Sequence, residues 1–390
     1  MTFWKVYVLI NTAIILFYVW YRTILLFITE SFEKRYPLYN KPFSVIIPVY
    51  NEKSDILYKC INSIYKSLGE KEIIIVDDGS TEKDTLKLLN KIKKKSETSQ
   101  KLYSSIKVIF SGKNQGKREA HKIGFLEAKY DIICVTDSDT VVERDSFQNL
   151  LRPFNDYLVG ATTGDIRALN ENENIITKIQ GAKYWTGLNI DRRSQSFWGI
   201  VTCCSGALAA YRKNLVIDYL EEYTNQIFLG NKCNSGDDRY LTNLILRNWR
   251  VKYVKEAIAY TEVPKTFKKW TKQQLRWKRS YIRESLICLK NSWGKKRLLF
   301  FETIFNLIFP IITLGVRIAF IYYIIIYPIL IFYLLPITLF VTVIRNSPLL
   351  FEKPKKMIYA FLYVIYYNFV FYWLYFVALF TFNNTDWGTR

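Results

Sequence analysis

Four short stretches of this 390-residue chain gather side chains suited to a charged diphosphate and a sugar hydroxyl. Asp77-Asp78-Gly79-Ser80 follows a strand expected over Glu72–Val76. A carboxylate at a strand end can accept from a base N–H or a ribose hydroxyl, and Gly79 permits a tight turn. Taken alone, the same residues make an ordinary Asp-Gly turn. Asp137-Ser138-Asp139 follows a second apolar strand. Strand alternation places both carboxylates of an Asp-x-Asp on one side, where they can share a divalent cation bridging a diphosphate. Gly236-Asp237-Asp238-Arg239 offers another pair, one member of which could take a hydroxyl proton while Arg239 keeps its neighbour ionised. Gln273-Gln274-Leu275-Arg276-Trp277 sets an amide, a guanidinium and an indole within about one helical turn. As a bare pattern that last stretch could be a helix-packing face.

Lys113-Asn114-Gln115-Gly116-Lys117-Arg118 precedes an expected helix, whose N–H groups and cations make an anion site or a plain basic turn. Each motif is weak by itself. Their order along some 200 residues is not.

Composition narrows the chemistry. The single histidine, His121, excludes multi-histidine metal sites, and none of the six cysteines forms a CxxC pair. A metal here must sit mainly on carboxylates, which favours Mg²⁺ or Mn²⁺. The cysteines are expected to be reduced thiols. A net charge of +21 suits anionic lipid headgroups and membrane flanks. No zinc spacing or recognition-helix motif supports nucleic acid as a partner.

The elements that must position these residues alternate between short strands and amphipathic helices from Pro42 onward. Strands at Ser44–Ile47, Glu72–Val76, Ile106–Phe110 and Asp131–Thr136 are separated by helices near Ser54–Lys66, Thr81–Lys95 and Lys117–Ala128. This pattern predicts an α/β fold with a Rossmann-like, mostly parallel sheet, whose ligands sit at the carboxyl ends of the strands. Lys91–Lys101 reads as a solvated basic loop. Residues 1–28 read as an N-terminal transmembrane helix, and the basic bias after it puts residues 29–265 in the cytosol. Residues 266–297 read as amphipathic interfacial helices. Residues 298–345 are long enough for two transmembrane helices, with Glu302 and Arg317 as candidates to line a polar channel. A last apolar stretch spans 357–382.

The chain resembles the processive membrane glycosyltransferases of family two, which include cellulose, chitin and hyaluronan synthases. It looks most like hyaluronan synthases. The matching stretches are Lys113–Arg118, Asn225–Gly230, Gly236–Asn243, Gln273–Glu284 and the terminal Asp386-Trp387-Gly388-Thr389-Arg390. Cys203-Cys204-Ser205-Gly206 is similar to the family's acceptor loop, with Ala207 where proline is usual. The resemblance implies UDP-N-acetylglucosamine and UDP-glucuronate as donors and a nascent polysaccharide passed through a multi-pass protein of the cell membrane. It also implies roles. Asp77, Lys117, Asp137, Arg276, Trp387 and Arg390 serve the donor, Asp139 the metal, Cys204, Gly206 and Trp277 the acceptor, and Asp238 is the base. Rhizobial chitin oligosaccharide synthases share most motifs, so a product made from UDP-N-acetylglucosamine alone is the alternative. Residues 383–390 resemble a segment that closes over UDP from the cytosol, which requires 357–382 to lie at the interface or re-enter.

Overall fold

The computed structural model describes residues 36–98, 105–294 and 296–385, with residues 10, 13–14, 16–18, 20–25 and 28 of the N-terminal stretch. An eight-stranded sheet forms the body, in the order β3-β2-β1-β4-β7-β6-β10-β5. The strands are β1 Phe43–Val49, β2 Lys71–Asp77, β3 Ile106–Phe110, β4 Ile132–Val135, β5 Thr140–Val142, β6 Val159–Ala168, β7 Ala209–Arg212 and β10 Arg250–Thr261. A separate hairpin pairs β8 Ile227–Phe228 with β9 Asn231–Lys232.

The first four strands are parallel, as their spacing predicts. Every residue of β1 is buried, because helices cover both faces of a parallel sheet. Beyond β4 the sheet becomes mixed: β7 runs antiparallel to both β4 and β6, while β6 and β10 pair in parallel. Register aligns the carboxyl ends. Val49 sits opposite Asp77, and Asp77 opposite Phe110, so Asp77 stands at the rim.

The helix Lys117–Glu127 lies close on β1. A Cβ at Gly124 would come within 2.5 Å of Ile46 Cγ2, so glycine is what permits the contact. The helix expected to end near Lys95 runs over Lys83–Glu97, so the first part of the basic stretch expected to be a loop from Lys91 is helical. Leu89 and Ile92 are buried beneath it, and the charged positions face out.

The C-terminal part is helical. A 26-residue helix, Phe267–Ser292, carries the Gln-x-x-Arg-Trp residues, with Thr266 capping its start. Arg297–Ile326 is long and apolar enough to cross a membrane, and the shorter Ile331–Arg345 follows. Pro354–Phe371 and Trp373–Thr381 form a pair bent by 45°, short of one straight rod. Its residues grip the long helix: Phe371 meets Trp270 edge-on at 4.4 Å, and Tyr375 and Ala378 pack with Ile282.

Gly124→Ala should lower stability by about 1–3 kcal/mol through overpacking against Ile46. A fall in the thermal unfolding midpoint of the purified protein checks this, and an unchanged midpoint would show that β1 yields freely.

Candidate active site

Asp77 is buried at the end of β2. Its Oδ2 accepts from the Ser80 N–H at 3.2 Å, and its buried Oδ1 has no hydrogen-bond partner among the described residues. A buried acceptor left in that state marks a place where a ligand donor fits. Asp78 points the other way. Its two oxygens accept from the N–H groups of Gln115 and Gly116, each at 2.9 Å. Gly79, at φ +71°, lets the Lys113–Asn114 backbone approach so closely that a Cβ would lie 2.4 Å from Asn114 N. The Asp-Asp-Gly turn thus clamps the basic loop in place.

That loop delivers Lys117 to the centre. Its Nζ lies 2.7 Å from Asp137 Oδ1 and 3.3 Å from Asp237 Oδ2. Gly206 closes the same cluster, since a Cβ there would meet Lys117 Nζ at 3.0 Å and Asp137 Oδ1 at 3.2 Å. Burial works against the Lys117 charge, but the two carboxylates outweigh it and push its pKa up. Burial likewise raises Asp237, yet Lys117, with His121 and Arg118, brings it down to about 2. Lys117, not Arg239, is therefore the cation that keeps one member of the pair ionised. The Arg239 guanidinium turns away to the Tyr281 ring, 5.1 Å from its centre, and to the Thr202 carbonyl.

Asp238 is raised instead, by burial and by the neighbouring charge of Asp237. Its Oδ1 accepts from the Arg239 N–H at 2.7 Å and its Oδ2 from the Cys203 thiol at 3.5 Å. Cys204 is fully buried, with its N–H donating to Thr242 Oγ1 at 2.8 Å. Cys203, one residue earlier, is the thiol that reaches both the base candidate and the open space beside it.

Asp137 and Asp139 lie beyond the end of β4 and take different partners. Lys117 holds Asp137. Asp139 accepts from the Thr140 and Thr261 hydroxyls at 3.4 and 3.3 Å, the latter on β10. Tyr184 is close to both Asp139 and Arg276: burial and the Asp139 charge raise its hydroxyl, and Arg276 opposes them. The Trp277 ring sits 6.3 Å from the Tyr184 ring, inclined by 30°. Acid rim and indole thus share one neighbourhood.

A cavity of about 750 Å³ opens there. It runs from Cys203, Arg239 and Trp277 past Glu302 and Asn306 to Phe309, Val341 and Phe369 among the apolar helices. Glu302 and Arg317 line it, as expected of charged residues set in an apolar stretch. Arg22 pairs with Glu302 and donates to Ser194 Oγ at 2.7 Å, while Arg345 lies 3.3 Å from Asp191.

Comparison with known proteins supplies the family. Residues 44–220 match Glycosyl transferase family 2. The chain is 33% identical over 351 residues to a hyaluronan synthase of Streptococcus pyogenes, covering 89% of this chain and 83% of that one. The chain belongs to glycosyl transferase family 2. This family-2 chain is also 34% identical over 263 residues to an N-acetylglucosaminyltransferase of Sinorhizobium fredii, covering 67% of this chain and 62% of the relative. Its fold is similar to that of a mannosyltransferase from Pyrobaculum calidifontis solved with GDP-Man and Mn²⁺. The TM-score is 0.61 at 18% identity, over 93% of this chain and 98% of that one. The sheet is thus a nucleotide-sugar transferase fold.

The oxygens present suit a hard divalent cation. Among the described residues no group of three or more His, Cys, Asp or Glu side chains surrounds one point. Mg²⁺ or Mn²⁺ held by Asp139, with Asp137 alongside, would therefore complete its shell with diphosphate and water oxygens. The described cysteines are free and buried, as their spacing predicts. Trp387 and Arg390 lie outside the described residues. The last described residue, Thr385, donates to the Lys232 carbonyl at 2.8 Å, beside the loop leading into Gly236. Sequence reasoning passed over Asp78, Cys203, Lys183 and Tyr184. Only for Asp78 and Cys203 was a signal available, from their places next to flagged residues.

His121 belongs to the buried face of the helix Lys117–Glu127. It is buried, and its Nδ1 pairs with the Tyr223 hydroxyl at 2.7 Å. Burial, aided by the Lys117 charge, lowers its pKa from 6.5 to about 4. The unfolded chain then binds the proton first, so stability present above pH 6.5 is lost as pH falls towards 4, on the order of 3 kcal/mol. Unfolding midpoints measured across that window should drop for the native chain and stay flatter for His121→Asn.

Proposed function

We propose that this family-2 transferase builds hyaluronan from UDP-N-acetylglucosamine and UDP-glucuronate and passes it through the cavity. The reading places the catalytic domain at the cytosolic face of the cell membrane. One observation carries it: the cavity beginning at Trp277 and at Cys203, whose thiol meets Asp238, continues between apolar helices, and its wall is cationic. Among the described residues that wall presents Arg22, Lys183, Arg192, Arg239, Lys278, Arg317 and Arg345 against Asp191, Glu284 and Glu302. A basic passage suits an anionic polymer better than a neutral one.

In this reading Asp77 receives the uracil or ribose donor at its unpartnered oxygen. Lys117 and Arg276 face the diphosphate as it departs, and Asp137 and Asp139 seat the metal. When bound, the cation neutralises diphosphate charge and favours its departure. The acceptor ring stacks on Trp277, beside Gly206 and the Cys203-Cys204 turn. Asp238 takes the proton of its attacking hydroxyl, and attack opposite the leaving UDP inverts the anomeric carbon. The raised pKa of Asp238 suits a base, since proton affinity drives the transfer. Trp387 and Arg390 would close over UDP. The contact of Thr385 with Lys232 supports this, because it brings residue 385 to the loop leading into Gly236. It also supports a 357–382 stretch that turns back and does not cross.

The similarity to rhizobial N-acetylglucosaminyltransferases favours a second reading, a chitin-type product from UDP-N-acetylglucosamine alone. Supplying the purified protein with each donor singly separates the two. Hyaluronan synthesis requires both donors for polymer, and polymer from UDP-N-acetylglucosamine alone defeats it.

Asp238→Asn should lower kcat by about 10²–10⁴ with UDP binding retained; full turnover by this variant would remove Asp238 from the role. Asp237→Asn removes the like charge beside the base. The acid limb of its residual kcat/KM profile should move to lower pH, and a limb moving upward would contradict the coupling.

A further inference from the structure

Among the described residues, two of the seven cations on the cavity wall form ion pairs with acids that also line it. Arg22 has Glu302, and Arg345 has Asp191. Of the others, Lys183 and Lys278 are the two lysines, and both belong to the surroundings of Trp277. Both line the cavity with Trp277, and neither forms an ion pair among the described residues. Lys183 Nζ lies 5.1 Å from the centre of the Trp277 ring and 5.9 Å from that of Tyr363, and it donates to Gln274 Oε1. Lys278 Nζ lies 5.6 Å from the Tyr367 ring. Tyr363 and Tyr367 are four residues apart, hence on one helical face, so the two ammonium groups sit over successive rings.

Ring faces soften the loss of water around a cation but do not replace a counter-ion. Burial, with the charge of Lys278, brings Lys183 down to about 7, and burial lowers Lys278 as well. No carboxylate of the acid rim offsets either one. Two such cations next to a sugar-stacking indole form a site short of one anion.

We infer that Lys183 and Lys278 bind the carboxylate of a uronate unit in the growing chain, next to the sugar stacked on Trp277. This rests on the hyaluronan reading and adds the residues that distinguish an anionic chain from a neutral one at the entrance. The rings of Trp277 and Tyr363 supply the sugar-facing surface, and the lysines supply the charge. A diphosphate is the other anion in reach, so the test is run with the donor site filled.

The experiment measures binding of a hyaluronan tetrasaccharide and of chitotetraose to the full chain in lipid nanodiscs, with saturating UDP. The native protein should hold the uronate probe about tenfold tighter, equivalent to about 1.4 kcal/mol. Lys183→Gln and Lys278→Gln should each erode that preference, and the double variant should abolish it while chitotetraose binds as before. Parallel loss of both probes would mark a packing role and overturn the inference, as would equal binding of both probes by the native protein. That native comparison stands even where a variant fails to fold. The two readings fail separately. Polymer from UDP-N-acetylglucosamine alone overturns the hyaluronan reading whatever the probes do, and equal probe binding overturns the subsite whatever the donors do.

Discussion

Lys117 bridging Asp137 and Asp237 is the contact on which the site depends. It joins the turn after β4 to the start of the helix Asp237–Leu246, two pieces of chain 100 residues apart. A desolvated ammonium between two carboxylates is tolerated because each charge satisfies the others. The consequence reaches one residue further. With Asp237 held ionised, its charge falls on Asp238, whose carboxyl is raised and therefore more basic. Gly206 makes the cluster possible, since any side chain there would press on both Lys117 and Asp137. Position and protonation of the base candidate are thus set by a single lysine presented from a clamped loop.

The helical part is built around the helix Phe267–Ser292. One face of it supplies Trp277 to the acid rim. Another buries Trp270 against Phe371, and Ile282 packs with Tyr375 and Ala378. Near its far end, Arg283 donates to the Ser235 carbonyl and lies beside Glu284, which accepts from Gln226 Nε2 at 2.9 Å. The same rod therefore ties the bent C-terminal pair to the loop that carries Gly236. Movement of one would be felt by the other, because packed elements transmit displacement through contact.

Much of the fold was legible along the chain. The strands β1 to β4 are short apolar runs between amphipathic helices, and a parallel sheet covered on both faces demands that pattern. The antiparallel insertion of β7 was not legible, because its four residues are flanked by no turn signal that fixes direction. The helix expected over Thr81–Lys95 is present as Lys83–Glu97: charges dominate its composition, and Leu89 and Ile92 mark its buried face. At the site, the acidic clusters were visible as motifs because diphosphate and hydroxyl chemistry restricts residue types.

Sequence by itself determined which carboxylates, cations and indole are available, and that they lie at strand ends or on one helix. These follow from local periodicity and side-chain chemistry. Tertiary structure alone decided which cation meets which acid: Lys117 took the place expected of Arg239, and Cys203 brings its thiol to Asp238. It also decided that Lys183, distant in sequence from every motif, stands over Trp277. Such pairings depend on how helices and loops are brought together across long separations in the chain, and no local pattern encodes that distance.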